Sequence, residues 1–317
     1  MNLKQYFINL LRNKKNIYKI SLKIYSFINK SKVVFSDEKI IISQKNQKEI
    51  ILHIRNITYV KEIVDYFNFY YDSVLLHNNT DSLDFSTPKE HELANVSFSF
   101  GLDFSSVPTP AQTSSQYIEI LKPKPGDTIL DLGSYCGLTV IDFLLSVGNE
   151  GFVLGVEADS NNFRCLKKNM EKFRKEYPGY NFELENVAIS DKVGFEYFSN
   201  NQDMSSAIVD ISPILHQQKN NYIKVPATTV SELCKKYNLI EIDIIKADIE
   251  GSEINLLKDA TFFENYNPKI LLEPISLKGK NSLEEIYGHM DNYGYEVKTY
   301  HQEGAKVPLY LFERNLK

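Results

Sequence analysis

The chain has 317 residues, 43% hydrophobic and 24% charged, with only 14 Gly and 11 Pro. These proportions exclude a disordered, fibrous or peptide-scaffold protein and leave length for one large domain or two modest ones. A formal charge of −5 offers no global field for nucleic acid, which needs clustered Lys and Arg, so none is expected as a partner. Cys136, Cys165 and Cys234 form no CxxC pair and no even set, which leaves a zinc knuckle or disulfide framework unsupported and points to a reducing, cytoplasmic setting. No stretch approaches the roughly 18 uninterrupted apolar residues of a membrane span, and no secretion signal is legible at the N-terminus.

Residues 1–32 carry Lys4, Arg12, Lys14, Lys15, Lys19, Lys23, Lys30 and Lys32 with no Asp or Glu, a charge of +8 that leaves −13 for the remainder. Leu3, Phe7, Leu10, Leu11, Ile17, Ile20, Ile24, Phe27 and Ile28 recur among them at spacings of three and four, which predicts an amphipathic helix. Such a helix either docks on protein with its Lys stems turned outward or lies as a peripheral contact on the inner face of an anionic membrane. Residues 33–110 read as an accessory α+β region. Val33-Val34-Phe35, Ile40-Ile41-Ile42 and Ile50-Ile51-Leu52 form short strands, and a helix capped by Asn56 presents Tyr59, Val60, Ile63, Phe67 and Tyr70. Those aromatics serve either as core or as the wall of a substrate groove.

After Val107-Pro108-Thr109-Pro110, helix and strand alternate, the pattern of βαβ units around a parallel sheet. The elements are helix 111–121, strand 128–132, helix 138–147, strand 152–157, helix 161–177, strand 182–189 and a hairpin strand 194–198. A polar stretch from Ser199 to about Asn221 is expected to be a lid-like loop. Thr229-Val230-Ser231-Glu232 is a capping box that opens a helix. Strand 242–247, a helix from about Ser252, strand 269–272, a helix from about Ser282 and strands near 295–300 and 307–312 complete a domain over residues 111–317.

The chemistry concentrates where a buried strand, Thr128-Ile129-Leu130-Asp131-Leu132, runs into Gly133-Ser134-Tyr135-Cys136-Gly137 and a helix start. Gly133 is expected to let a ligand approach the backbone and Gly137 to permit tight entry into the helix, whose first N–H groups offer donors to an anionic group. Asp131 places a carboxylate where an ammonium or another donor fits and a pyrophosphate is repelled. Val153-Leu154-Gly155-Val156-Glu157 ends the next strand on an acid that either accepts both hydroxyls of a ribose or stabilises the following helix, a task for which Asp159 competes. Glu273, in Leu271-Leu272-Glu273-Pro274, ends a later strand at the same rim. The six histidines occupy no metal-ligand spacing; His216 falls in the lid-like stretch.

Asp131-x-Gly133-x-x-x-Gly137 with Glu157 resembles the Rossmann-like class I methyltransferases that use S-adenosylmethionine. More narrowly, the run from about Gly126 to Pro274, nearly half of the chain, resembles the FkbM family. Asp131-Leu132-Gly133-Ser134-Tyr135-Cys136-Gly137, Asn186-Val187-Ala188-Ile189-Ser190-Asp191 and Lys246-Ala247-Asp248-Ile249-Glu250-Gly251-Ser252-Glu253 carry that likeness. The resemblance implies an α/β fold with a seven-stranded, mostly parallel sheet whose last strand is antiparallel and inserted beside the fifth. It implies S-adenosylmethionine as cofactor, with its methionine part over Gly133, Ser134, Tyr135 and Gly137, its ribose on Glu157 and its adenine near Asn186, Val187 and Ala188. Asp248 and Glu250 then face the transferable methyl and the acceptor, and Glu273 is a second candidate base. Glu250 and Glu253 also read as stabilisers of a helix start.

Asp248, Glu250 and Glu273 are hard-oxygen groups suited to Mg²⁺, although no metal site is fixed by the sequence. O-methylation of a small molecule, glycan or natural product is the implied activity, with a sugar hydroxyl on a surface-polysaccharide precursor as the favoured acceptor. Two other classes stay open. One is an NAD-dependent oxidoreductase, for which the turn lacks G-x-G-x-x-G, and the other is a non-catalytic protein that keeps the cofactor fold. A homo-oligomer is also left open.

Overall fold

The structure, a computed structural model, describes residues 3–76, 81–199, 222–249, 251–274 and 281–314. Helix α1 (Leu3–Ile28) precedes an antiparallel meander of β1 (Ser31–Phe35), β2 (Lys39–Gln44) and β3 (Glu49–His53). Val33, Ile40, Ile42, Ile50 and Leu52 point inward, the period of two by which one face of a sheet seals a core. The turn that follows is capped by His53 rather than Asn56: the His53 ring accepts the N–H of Arg55. Asn56 is instead buried and donates its amide to Ser106. After a 3-10 turn (Ile54–Tyr59) come α2 (Val60–Asp65) and α3 (Phe67–Tyr71), then β4 (Ser82–Phe85), parallel to β3, and a ribbon of β5 (Lys89–His91) with β6 (Leu102–Phe104).

The chain then alternates through α4 (Ala111–Leu121), β7 (Thr128–Leu132), α5 (Leu138–Val147), β8 (Phe152–Val156), α6 (Ser160–Glu176) and β9 (Asn181–Glu185). A small separate sheet holds β10 (Ala188–Ile189), β11 (Gly194–Ser199) and β12 (Tyr222–Thr228). Next come α7 (Val230–Lys236), β13 (Ile244–Ala247), α8 (Glu253–Leu257), α9 (Ala260–Asn265), β14 (Lys269–Leu272), α10 (Asn281–Asn292), β15 (Tyr295–Tyr300) and β16 (Leu309–Arg314). The main sheet has seven strands in the order β15-β16-β14-β13-β7-β8-β9. All run parallel except β16, which lies antiparallel between β14 and β15. This is the Rossmann-like class I arrangement expected above, including the inserted last strand.

Alternate positions on these strands serve two cores. Ile129, Val153, Ile244 and Leu271 meet α4, α5, α6 and the accessory region, whereas Leu130, Leu154, Ile245 and Ile270 meet α7 to α10. The first core runs unbroken from Leu22 and Ile40 through Phe104 to Phe143, so the accessory region and the alternating domain share one interior.

Three local expectations change. The single strand 182–189 is two, β9 and β10, in different sheets. The residues Tyr222–Thr228 form a strand despite Pro226, which hid it from the pattern. The helix from Ser252 is broken into α8 and α9, the second capped by Asp259, whose carboxylate accepts the N–H of Phe262. The expected lid beyond Ser199 lies outside the described residues. No helix among the described residues is long and apolar enough to cross a membrane.

Candidate active site

Four strands end in one row: Leu132 pairs with Val156 and with Ala247, and Ala247 pairs with Leu272. The residues that follow them, Gly133, Glu157, Asp248 and Glu273, therefore leave the sheet along one rim, the edge where open parallel sheets bind ligands. A cavity of about 640 Å³ lies over this rim and is lined by all four, a volume suited to small molecules.

Gly133 and Gly137 have φ of +78° and +95°, the left-handed region that favours glycine. A Cβ on Gly133 would stand 1.8 Å from the Asp248 carbonyl oxygen, and one on Gly137 2.6 Å from Leu166 Cδ1. The close approach at Gly133 is thus made by the neighbouring strand end, where a ligand was expected. The turn also consumes its own donors. The N–H groups of Gly133 and Ser134 bond Val156 O at 2.9 and 3.0 Å, Gly137 N–H bonds Ser134 O at 2.8 Å, and Tyr135 N–H bonds Glu157 Oε2 at 2.9 Å. Donors for a ligand begin with α5, whose first-turn amides lack intrahelical acceptors and whose Leu138 and Thr139 line the cavity.

Asp131 does not reach the cavity. Its wholly buried carboxylate accepts the Thr139 hydroxyl and pairs with Lys246 Nζ at 3.3 Å, while Lys246 donates to Gly133 O at 2.7 Å. Asp131 and Lys246 face each other across β7 and β13, so the pair fastens the turn to the adjacent strand. That corrects the expectation that Asp131 receives a ligand's ammonium. Burial works against the Lys246 charge, but Asp131, Asp248 and Glu273 around it hold its pKa above the usual lysine value.

Glu157 lines the cavity with a buried carboxylate. Its Oε1 accepts the N–H of Asp159 at 2.8 Å and lies 3.5 Å from Asn162 Nδ2. Burial pushes its pKa up to about 7. Asp159, not Glu157, caps α6 by accepting the N–H groups of Asn161 and Asn162 at 2.7 and 3.2 Å. Val187 and Ala188 line the cavity, but Asn186 is turned to other work. Its Nδ2 donates to the carbonyls of Glu157 and Ala158 at 2.8 and 3.2 Å, holding the backbone that carries the acid.

At the other end of the cavity, Asp248 has no hydrogen bond to its carboxylate among the described residues, and burial, reinforced by Glu273, holds its pKa well above the usual range. Glu273 accepts the Tyr117 hydroxyl and, at 2.7 Å, Gln302 Nε2. Glu250 lies outside the described residues. Among the described residues no group of three His, Cys, Asp or Glu is placed to hold a metal ion, so the expectation of Mg²⁺ gains no support.

Several lining residues escaped the sequence reading. Tyr117 from α4, Gln302 between β15 and β16, and Glu62 from α2 all face the cavity, beside Tyr70, one of the aromatics read above as core or groove wall. Glu62 accepts the Tyr70 hydroxyl, and burial raises its pKa. Tyr59, Tyr66 and Phe69 complete that wall, so part of the aromatic set at 59–70 serves the cavity as well as the core. Tyr117 was detectable only as one member of the buried face Ala111, Ser114, Tyr117 and Leu121; Gln302 sits in a connection with no period to read. Two buried polar atoms on the lining, Ser252 Oγ and Gln302 Oε1, have no hydrogen-bond partner among the described residues.

The Methyltransferase FkbM domain family matches residues 131–297 of the chain. No curated protein matches it. Similar solved structures include methyltransferase FkbM from Methylobacillus flagellatus KT, at 13% identity over 81% of this chain and 55% of that one, with a TM-score of 0.46. Aeropyrum pernix fibrillarin, solved with natively bound S-adenosyl-L-methionine, is similar at 15% identity over 88% and 96%, TM-score 0.38. A SAM-dependent O-methyltransferase from Thermotoga maritima is similar at 10% identity over 90% and 96%, TM-score 0.39. The chain spans about half the length of the Methylobacillus protein.

Proposed function

The chain belongs to the Methyltransferase FkbM domain family, and from that premise we propose that it methylates a hydroxyl of a polyhydroxylated acceptor, a sugar in surface-glycan or natural-product biosynthesis. The nicotinamide-dependent alternative falls with that membership. S-adenosylmethionine, the cofactor of such methyltransferases, supplies when bound an electrophilic methyl on a cationic sulfonium.

The residues present fit that molecule. Glu157 offers carboxylate lone pairs to the two ribose hydroxyls, Val187 and Ala188 give apolar contact for the adenine, and Tyr135 with the first turn of α5 flanks the methionine end.

The observation that carries the acceptor class is the polarity of the rest of the cavity. Glu62, Asp248 and Glu273 present carboxylates and Gln302 an unpaired carbonyl oxygen, while the buried ammonium of Lys246 is engaged by Asp131 and Gly133. Around Asp248 and Glu273 these acceptors favour a ligand group that donates hydrogen bonds, while Lys61 and Lys306, the latter paired with Asp65, put positive charge on the accessory side of the lining. Tyr59, Tyr66 and Phe69 give a flat apolar wall for the C–H face of a sugar ring, whose hydroxyl rim then meets the acids. Asp248, with no bonded partner to displace, takes the acceptor proton in its ionised form, in which its raised pKa makes it the stronger base; Glu273, fixed by Tyr117 and Gln302, orients the hydroxyl. Three buried cysteines without a disulfide fit a cytoplasmic setting.

A methyl-transfer screen with labelled cofactor over nucleotide-activated sugars, lipid-linked sugars, a polyketide and a protein tests the reading. Label in either sugar class supports it, and label only in the polyketide or the protein overturns it. Cofactor binding without label in any acceptor favours the non-catalytic reading.

A further inference from the structure

Helix α1 is apolar on two opposite sides. One side is fixed to the protein: Leu22 and Ser26 are buried against it, and the Tyr25 hydroxyl donates to Asp65 of α2 at 2.6 Å. On the other side, Ile17, Ile20, Ile24, Phe27 and Ile28 are each more than half exposed, Phe27 by 82% and Ile28 by 70%. At 3.6 residues per turn these five fall within an arc of about 100°, a continuous stripe and not scattered surface residues. A stripe of that kind, with charge beside it, marks an interaction surface.

The charge identifies the partner. Eight basic residues and no acidic one precede Asp37. Lys23 borders the stripe on one side and Lys19 lies farther round on that side; both sit over the Phe35 ring with their ammonium nitrogens 5.9 and 5.4 Å from its centroid, and Lys32 follows on the exposed side of β1. We propose that α1 seats the protein on an anionic membrane surface, with lipid headgroups meeting the lysines and Ile20, Ile24, Phe27 and Ile28 entering the acyl boundary. A second copy of the chain is the poorer occupant, because pairing along the stripe sets two strongly basic helices side by side, whereas an anionic leaflet neutralises them.

The seat is joined to the active-site wall. Asp65, which holds Tyr25, lines the cavity, and so does Lys61, whose ammonium lies 5.0 Å from the Tyr25 ring centroid. The inference stands on the helix alone and does not depend on which acceptor is methylated.

Co-sedimentation of the full chain with phosphatidylcholine vesicles, with and without about 30% phosphatidylglycerol, tests it. The expected result is binding to the anionic vesicles about tenfold stronger than to the neutral ones. Ile24→Ser with Phe27→Ser should weaken it about tenfold, and so should Lys19→Gln with Lys32→Gln, with far-UV circular dichroism and cofactor binding unchanged. Equal affinity for both vesicles, no binding, or indifference to both variants overturns the proposal. So does a dimer in sedimentation equilibrium that is abolished by the serine variant while vesicles are ignored, which assigns the stripe to a second copy.

Discussion

Glu157 holds its carboxylate between the N–H groups of Tyr135 and Asp159, yet burial still lifts its pKa from the ordinary 4.5 to about 7. The folded state therefore keeps this proton more tightly than the unfolded chain, and the ligand-free protein loses stability as pH rises from about 4.5 to 7. Roughly 3 kcal/mol attaches to the group across that window. Urea unfolding at the two ends should show a fall of that order, smaller in Glu157→Gln. Ribose hydroxyls donate best to the ionised acid, so cofactor affinity should climb with pH through about 7 and level off, a rise absent from the variant. At Asp248 the chemistry separates from binding. Asp248→Asn should lower single-turnover methylation by about 10²- to 10⁴-fold while cofactor affinity stays within about threefold; a large loss of affinity with little change in rate would instead make Asp248 a cofactor contact.

Among elements, α6 joins the accessory region to the main sheet. Asn169, fully buried, donates from Nδ2 to the carbonyls of Asp103 and Cys136, both at 2.8 Å, and accepts the Asp103 N–H at 2.7 Å. One amide thus ties α6 to β6 of the accessory ribbon and to the glycine turn. Asn169→Ala leaves those buried groups unpaired and should cost about 2–4 kcal/mol, read as a lower urea midpoint with unchanged slope. The elements themselves were largely legible, because strands buried on both faces, such as Thr128–Leu132 and Lys269–Leu272, read as short apolar runs between turn residues. β12 was not, since Lys224 and Pro226 interrupt its run and its pairing comes from β10 and β11. The break between α8 and α9 was hidden for a similar reason: Asp259 accepts the Ser231 N–H and hydroxyl at 2.8 and 2.6 Å, a tie from a distant part of the chain. At the site, Gly133, Glu157, Asp248 and Glu273 could be read because each follows a strand. The burial of Asp131 could not, because its partner Lys246 is known only once the register of β7 and β13 is known. The aromatic set at 59–70 could be read only as two alternatives, core or groove wall, since its position over the rim is set by tertiary packing.

On the scale of the molecule, the accessory region is built into the core and not appended to it. Leu22, Ile50, Phe85 and Phe104 share one continuous interior with Val140, Phe143 and Phe173. Unfolding should therefore be a single cooperative transition, with tyrosine fluorescence from the 20 Tyr and far-UV circular dichroism giving coincident urea curves; two separated transitions would show independent units. The same construction explains how one cavity draws on both regions, with Glu157 and Asp248 from the main sheet and Glu62 and Tyr66 from the accessory helices. The central assignment is the cofactor, and calorimetric titration of the full chain with S-adenosylmethionine, its demethylated product and NAD, repeated on Glu157→Ala, tests it most directly. The predicted result is binding of the first two, weakened at least about tenfold in the variant, with no heat from NAD. Binding of NAD alone, or of none of the three, would contradict it.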